Sequence, residues 1–334
     1  MNQAANTTDS ADLQALTGIR RGPYNSFNAV SEVQIWQWCS ALGDRNPLYL
    51  DRDYQTRAGI AGPVAPPAMM QMWTMRNVNM QFSPGSTTEA PYQVFDELSE
   101  LGFPANVAVS YDITFQRYLL AGDRAHHFTT VVDISELKTT RLGQGYFVTE
   151  RVEYLDANDL PFAEALITYF QYQPAQLDEE EVAAPPQPMD IPDATWAPDF
   201  MDLVAADLAV GQALPQLAIP ITHKLIVSGA AASQDFIDGH HNAPAARAAA
   251  MPDIFMNILT TCGLAGRYLS DWAGPGSRLE RLEFKLMAPN VPGDTMIMQG
   301  QVTAIECQRV GVQFAGRNSR GYHFTGEATL RLAS

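Results

Sequence analysis

Residues 174–208 contain Asp178, Glu179, Glu180 and Glu181 in succession, followed by Pro185, Pro186, Pro188, Pro192 and Pro198. Like charges repel along such a stretch, and proline stiffens the backbone while removing donors, so the segment suits an extended connection and not a core element. A chain of 334 residues divided there is expected to build two cores of similar size. The expected division is one domain over 1–173, an acidic proline-rich linker over 174–208, and a second domain over 209–334.

The two halves share a plan. Each opens with an Asp-centred loop, Gly43-Asp44-Arg45-Asn46-Pro47-Leu48-Tyr49 in the first and Gln234-Asp235-Phe236-Ile237-Asp238-Gly239-His240-His241 in the second. Each continues into an apolar helix candidate behind proline, Ala68 to Trp73 after Pro66-Pro67 and Ile254 to Leu269 after Pro252, where the missing N–H costs nothing. Alternating segments follow in both, Val107 to Phe115 through Ala165 to Tyr172, and Leu279 to Leu286 through His323 to Leu332, separated by turn signals such as Gly122-Asp123 and Gly293-Asp294. An apolar helix followed by several antiparallel strands, repeated once, predicts an α+β chain of two curved sheets, each wrapped around a helix.

Charge narrows the function. The net charge of −16 argues against nucleic-acid binding. Residues 1–177 hold 11 bases and 19 acids, and residues 178–208 hold 9 acids and no base. Residues 209–334 hold 10 bases and 9 acids, so an anionic ligand meets least repulsion there. No long apolar run predicts a membrane span, and the polar start does not read as a signal peptide. Three scattered cysteines, Cys39, Cys262 and Cys307, form no metal-type cluster, so no metal is expected and the cytoplasm is the expected location.

The Asp235 to His241 loop resembles the Asp-and-His signature of the MaoC-like hydratase/dehydratase family, which has the hotdog fold. Pro252 to Leu259, Gly263-Leu264 and Arg267 to Pro275 resemble the small catalytic subunit of the enoyl-CoA hydratase of bacterial steroid side-chain degradation. The Asp44 loop and Ala65 to Met75 resemble the first domain of its partner subunit. The resemblance implies a double hotdog on one polypeptide, with no cofactor beyond the coenzyme A of its substrate. It also implies hydration of a bulky, steroid-type enoyl-CoA to a 3-hydroxyacyl-CoA. Asp235 and His240 would hold the water, and the backbone N–H of Asn257, early in the helix, would meet the thioester oxygen. Arg317 and Arg267 are the candidates for substrate contact. A homodimer is expected, with a downstream aldolase as a candidate partner.

Read without the resemblance, Asp235 is a turn or helix cap and His240 a surface loop histidine. The first half departs from the pattern because Tyr49 stands where the second half has its histidine. A phenol with an ordinary pKa near 10 is a poor base at neutral pH, so that half is expected to be catalytically silent. Gly59, Gly62, Pro63, Pro66 and Pro67 disfavour a long helix there, which would leave room for a bulky acyl group beside Met69, Met70, Met72, Met75 and Met80. The alternatives are 3-hydroxyacyl-thioester dehydration, on CoA or a carrier protein, and thioester hydrolysis.

Overall fold

The computed structural model describes residues 13–175, 186–187, 189–191 and 196–333; the acidic run Asp178 to Glu181 and Pro185, Pro188 and Pro192 lie outside them. Among these residues the backbone forms an 11-stranded antiparallel sheet. In the first half the strands are β1 (Arg20–Asn25), β2 (Ala105–Phe115), β3 (Ala125–Ile134), β4 (Lys138–Thr140), β5 (Gly143–Asp156) and β6 (Pro161–Pro174). The second half supplies β7 (Leu217–Pro220), β8 (Arg278–Leu286), β9 (Thr295–Glu306), β10 (Arg309–Asn318) and β11 (Gly321–Arg331). The order is β1-β3-β5-β6-β2-β8-β11-β10-β9-β7, with β4 beside β5, so the two halves join edge to edge through β2 and β8. At this seam Ser110 faces Lys285 and Thr114 faces Arg281. Asp112 and Glu283 lie directly opposite each other, a repulsive pairing. Arg281 offsets it by bonding Asp112 at 2.8 Å and Glu283 at 2.6 Å.

The second half wraps around a long helix, Ile258–Ala273, with thirteen of its sixteen residues buried. It is covered on all sides, which explains why its sequence lacks a polar face. Helix Glu32–Leu42 crosses it so closely that a Cβ on Gly263 would lie 2.4 Å from Leu42 Cδ1. In the first half the segment behind Pro66-Pro67 forms only two short 3₁₀ turns, Pro67–Met69 and Met72–Thr74. The prolines and the nearby glycines account for that: each removes a donor or raises the entropic cost of a helix. Met69, Met70 and Met72 are buried core, Met75 lines a recess described below, and Met80 is exposed.

Past the acidic segment the chain docks again. Trp196 packs edge-on against Tyr268, Leu203 N–H donates to Ala273 O at 3.1 Å, and Asp202 Oδ1 accepts from Gly276 N–H. No helix among the described residues is long and apolar enough to cross a membrane.

Candidate active site

Helix His223–Ala232 ends at Ser233, and Gln234 then takes a left-handed conformation (φ 56°). For a residue with a Cβ that conformation is strained, and it turns Asp235 away from the helix axis. Gly43 (φ 66°) makes the same turn before Asp44, at the end of helix Glu32–Leu42. The duplication read from the two loops is therefore a duplication of backbone geometry.

Asp235 and His240 are both buried and face each other, with Nε2 3.5 Å from Asp235 Oδ2. His240 Nδ1 lies 2.8 Å from the carbonyl oxygen of Phe255. A carbonyl only accepts, so Nδ1 carries the hydrogen, and a ring with its one hydrogen there presents a lone pair at Nε2. Phe255 also packs edge-on against the imidazole, with centroids 4.8 Å apart. Two acceptors at 3.5 Å cannot bond each other directly, but both can accept from one water.

Asn257 holds the other side. Its Nδ2 donates to Asp235 Oδ2 and to Ser233 Oγ, both at 2.9 Å, while its Oδ1 accepts from Thr260 N–H at 2.9 Å as the N-cap of the long helix. One side chain thus starts the helix and clamps the carboxylate. Asp235 Oδ1 has no hydrogen-bond partner among the described residues, which leaves it able to accept. The sequence singled out Asn257 for its backbone; its amide was missed, although an Asn immediately before the apolar Ile258-Leu259 is a cap signal.

The two arginines sit elsewhere. Arg267 lies ten residues along the helix from Asn257, about 15 Å away. Its Nη1 donates to Leu42 O at 2.7 Å and its Nε to Asp271 Oδ2 at 3.2 Å, so its bonds run inward at the junction of the halves. Arg317 is exposed, with its guanidinium 5.5 Å from the Tyr322 ring centroid. Its neighbour Asn318 bonds Asn290 Oδ1 at 2.9 Å, and Asn290 O accepts from Met256 N–H at 3.0 Å. That chain of bonds sets the β10–β11 turn beside the start of the long helix.

The Asp44 loop is closed. Asp44 Oδ1 accepts from Asn46 N–H at 2.9 Å, and Asp44 and Tyr49 are both buried. Burial pushes the Tyr49 phenol well above its ordinary range. It also raises Asp44, with the Asn46 N–H and Arg267 opposing the shift.

A narrow recess of about 20 Å³ opens in the first half, where a long helix is missing. Its lining includes Met75, Arg76, Phe82, Tyr92, Tyr154 and Tyr169. Burial raises the pKa of both Tyr92 and Tyr169, and the Asp235 charge adds a smaller contribution to each. His127, Thr129 and Glu150 also line the recess. The sequence reading passed over these three, yet a signal was present: on β3 they alternate in phase with buried Ala125 and Val131, and on β5 with buried Val148 and Val152. Polar residues in phase with a buried apolar face call for a reason.

Comparison with known proteins agrees with this architecture. Residues 21–165 match the family model described as FAS1-like, dehydratase domain region. The 3-oxo-4,17-pregnadiene-20-carboxyl-CoA hydratase beta subunit of Mycobacterium tuberculosis is 40% identical over 123 residues, 37% of this chain and 95% of that protein. The alpha subunit of the same name, from the same organism, is 31% identical over 153 residues, 46% of this chain; the match spans about half of that subunit, 48%. In fold, a MaoC-like dehydratase superposes with a TM-score of 0.73 at 18% identity, over 96% of this chain and 100% of its own. With its duplicated loops and its joined curved sheets, the chain belongs to the MaoC-like hydratase/dehydratase family of hydro-lyases and has the double hotdog fold.

Proposed function

We propose that the chain is an enoyl-CoA hydratase that adds water across the 2,3 double bond of a bulky enoyl-CoA, of the steroid side-chain type, to give a 3-hydroxyacyl-CoA. The observation that carries this reading is the fixed tautomer of His240. With Nδ1–H bonded to Phe255 O, Nε2 and the Asp235 carboxylate form a pair of acceptors for one water. That water, held by both, is aimed at the β-carbon. As its oxygen bonds there, one proton passes to the Asp235/His240 pair and a proton is delivered to the α-carbon, general acid–base catalysis worth about 10²–10⁴-fold. Negative charge on the thioester oxygen is met by backbone N–H groups where the long helix begins, with Asn257 the candidate, aided by the positive end of the helix dipole.

The far end of the acyl group would reach the narrow recess of the first half, and the near-neutral second half would face coenzyme A. Arg317 is the proposed phosphate contact; Arg267 is left out because its bonds are directed to Leu42 and Asp271. The relatives named as alpha and beta subunits support an assembly of hotdog units, here carried on one chain. A homodimer and a downstream aldolase partner are proposed on the same footing, and the cytoplasm as the place of action.

The test is the loss of enoyl-thioester absorbance with wild type, Asp235→Asn and His240→Ala. We expect kcat to fall at least about 100-fold in each variant. Near-wild-type turnover in both would sink the assignment, and release of free CoA thiol from a saturated acyl-CoA would favour hydrolysis instead.

A further inference from the structure

The concave face of the first half carries three buried polar side chains whose free atoms meet the recess. His127 Nδ1, Thr129 Oγ1 and Glu150 Oε1 make no close hydrogen bond among the described residues, although the Thr129 hydroxyl lies near enough to the Glu150 carboxyl to favour its charged form. His127 is 8% exposed, Thr129 4% and Glu150 2%. Leaving buried polar atoms unpaired is costly, and an apolar residue at each position would pack without that cost. Around them stand aromatic walls: Tyr24 stacks on His127 with centroids 4.9 Å apart, and Phe82, Tyr154 and Tyr169 line the space. A narrow recess in which several polar groups converge between aromatic walls is the form of a site that holds a single polar ligand atom.

We propose that this recess recognises an oxygen, a ketone or hydroxyl, at the far end of the acyl group, through Thr129, Glu150 and His127. The proposal rests on the hydratase reading, because the acyl chain must enter from the Asp235 side. Its chemistry follows from the groups present. Burial pushes the Glu150 carboxyl up to about 8, with the Thr129 hydroxyl and Arg21 opposing the shift, so at neutral pH it carries a proton and donates. Burial also lowers His127 to about 3, so it stays neutral and adds no charge. A ketone then meets hydroxyl donors in a dry site, whereas an acyl end without oxygen leaves the same groups unpaired. A site of that kind discriminates strongly against the analogue that lacks the polar atom.

The groups facing Glu150 are Arg21 and Tyr24 from β1, His127 and Thr129 from β3, Tyr154 from β5, Tyr169 from β6, and Tyr92 and Arg76 from the connecting segment. Above about pH 8 Glu150 loses its proton and changes from donor to acceptor, while the phenols, raised by burial, remain protonated.

The experiment compares two ring-bearing enoyl-CoAs that differ only in a far-end ketone or methylene. We expect wild type to favour the ketone by about tenfold or more in kcat/KM. In the near-isosteric Thr129→Val, and in Glu150→Leu, that ratio should fall below about threefold. In Glu150→Gln, which keeps a donor, it should persist and lose its decline above pH 8. Thermal melts check folding, and Thr129→Val alone decides if Glu150→Leu does not fold. Equal turnover of the two substrates by wild type, or an unchanged ratio in Thr129→Val, overturns the inference and leaves the hydratase reading intact. No turnover of either substrate overturns both.

Discussion

Both halves place an aspartate one residue past a left-handed turn at a helix end, Gly43 before Asp44 and Gln234 before Asp235. Five residues later they part. In the first half Tyr49 is buried, and the Asp44 carboxylate is bonded to the Asn46 N–H of its own loop. In the second half His240 is locked by Phe255 O, Asn257 clamps one carboxylate oxygen, and the other stays free to accept. The comparison teaches that an inherited backbone turn is not a site. What makes one is a neighbour that holds the acid without consuming it.

The largest expected effect separates the loops directly. Asp235→Asn and His240→Ala should each lower kcat by about 10²–10⁴-fold, whereas Asp44→Asn should change kcat less than about threefold, because Asp44 is buried and bonded to the Asn46 N–H of its own loop. Steady-state hydration assays check all three, and comparable losses in both loops would break the comparison.

Next in size is the clamp. Asn257→Ala removes an N-cap, worth about 1 kcal/mol, and frees the Asp235 carboxylate. We expect kcat to drop by about ten- to a hundredfold through misplacement, with a lower Tm. A fall in Tm without a fall in kcat would reduce Asn257 to a cap.

The third prediction concerns pH. Burial, together with the nearby Asp44, pushes the Asp271 carboxyl up to about 7, with Arg267 opposing. Its native form holds a proton more tightly than the unfolded chain, whose carboxyl titrates near 3.8. The associated stability is therefore full below about pH 4 and is lost as pH rises toward 7. Glu150 adds a loss of the same sign between about 4.5 and 8. His127, lowered to about 3, acts oppositely, with stability lost as pH falls below about 6.5. Asp271→Asn should remove on the order of 2 kcal/mol of that alkaline-side decline, read from denaturant midpoints across pH.

The smallest expected effect is the sharpest. Tyr49→His rebuilds the sequence signature of the second loop in the first, and combined with Asp235→Asn it should restore no turnover. Any measurable rescue would mean that the signature alone suffices.

Much of this was legible beforehand. The absence of a long helix behind Pro66-Pro67 rests on local rules, proline and glycine sterics, whereas the Asp235/His240 pair was visible only through the resemblance, since the residues alone read as a cap and a surface histidine. The seam was not legible, because pairing β2 with β8 depends on residues 167 or more positions apart in sequence. Arg267 was misleading for a related reason. A cation in a near-neutral half invites an anion, but its partners are a carbonyl on another helix and an acid one turn along. Thr129 and Glu150 were readable in phase with buried strand positions, yet only the assembled recess gives that phase a use.

The β2–β8 seam has a further consequence. The Asp235/His240 pair belongs to one side of it and the recess beside Glu150 to the other, so the seam acts as a ruler between the proposed chemistry and the proposed selectivity. Antiparallel strands advance about 3.4 Å per residue. A two-residue slip would keep every side chain on its face yet move the recess about 7 Å from Asp235 along the strands. The Arg281 bonds to Asp112 and Glu283 set the zero mark of that ruler. The spacing that the proposed function requires between the recess and Asp235 is thus held in part by three charged residues at the seam, Asp112, Arg281 and Glu283.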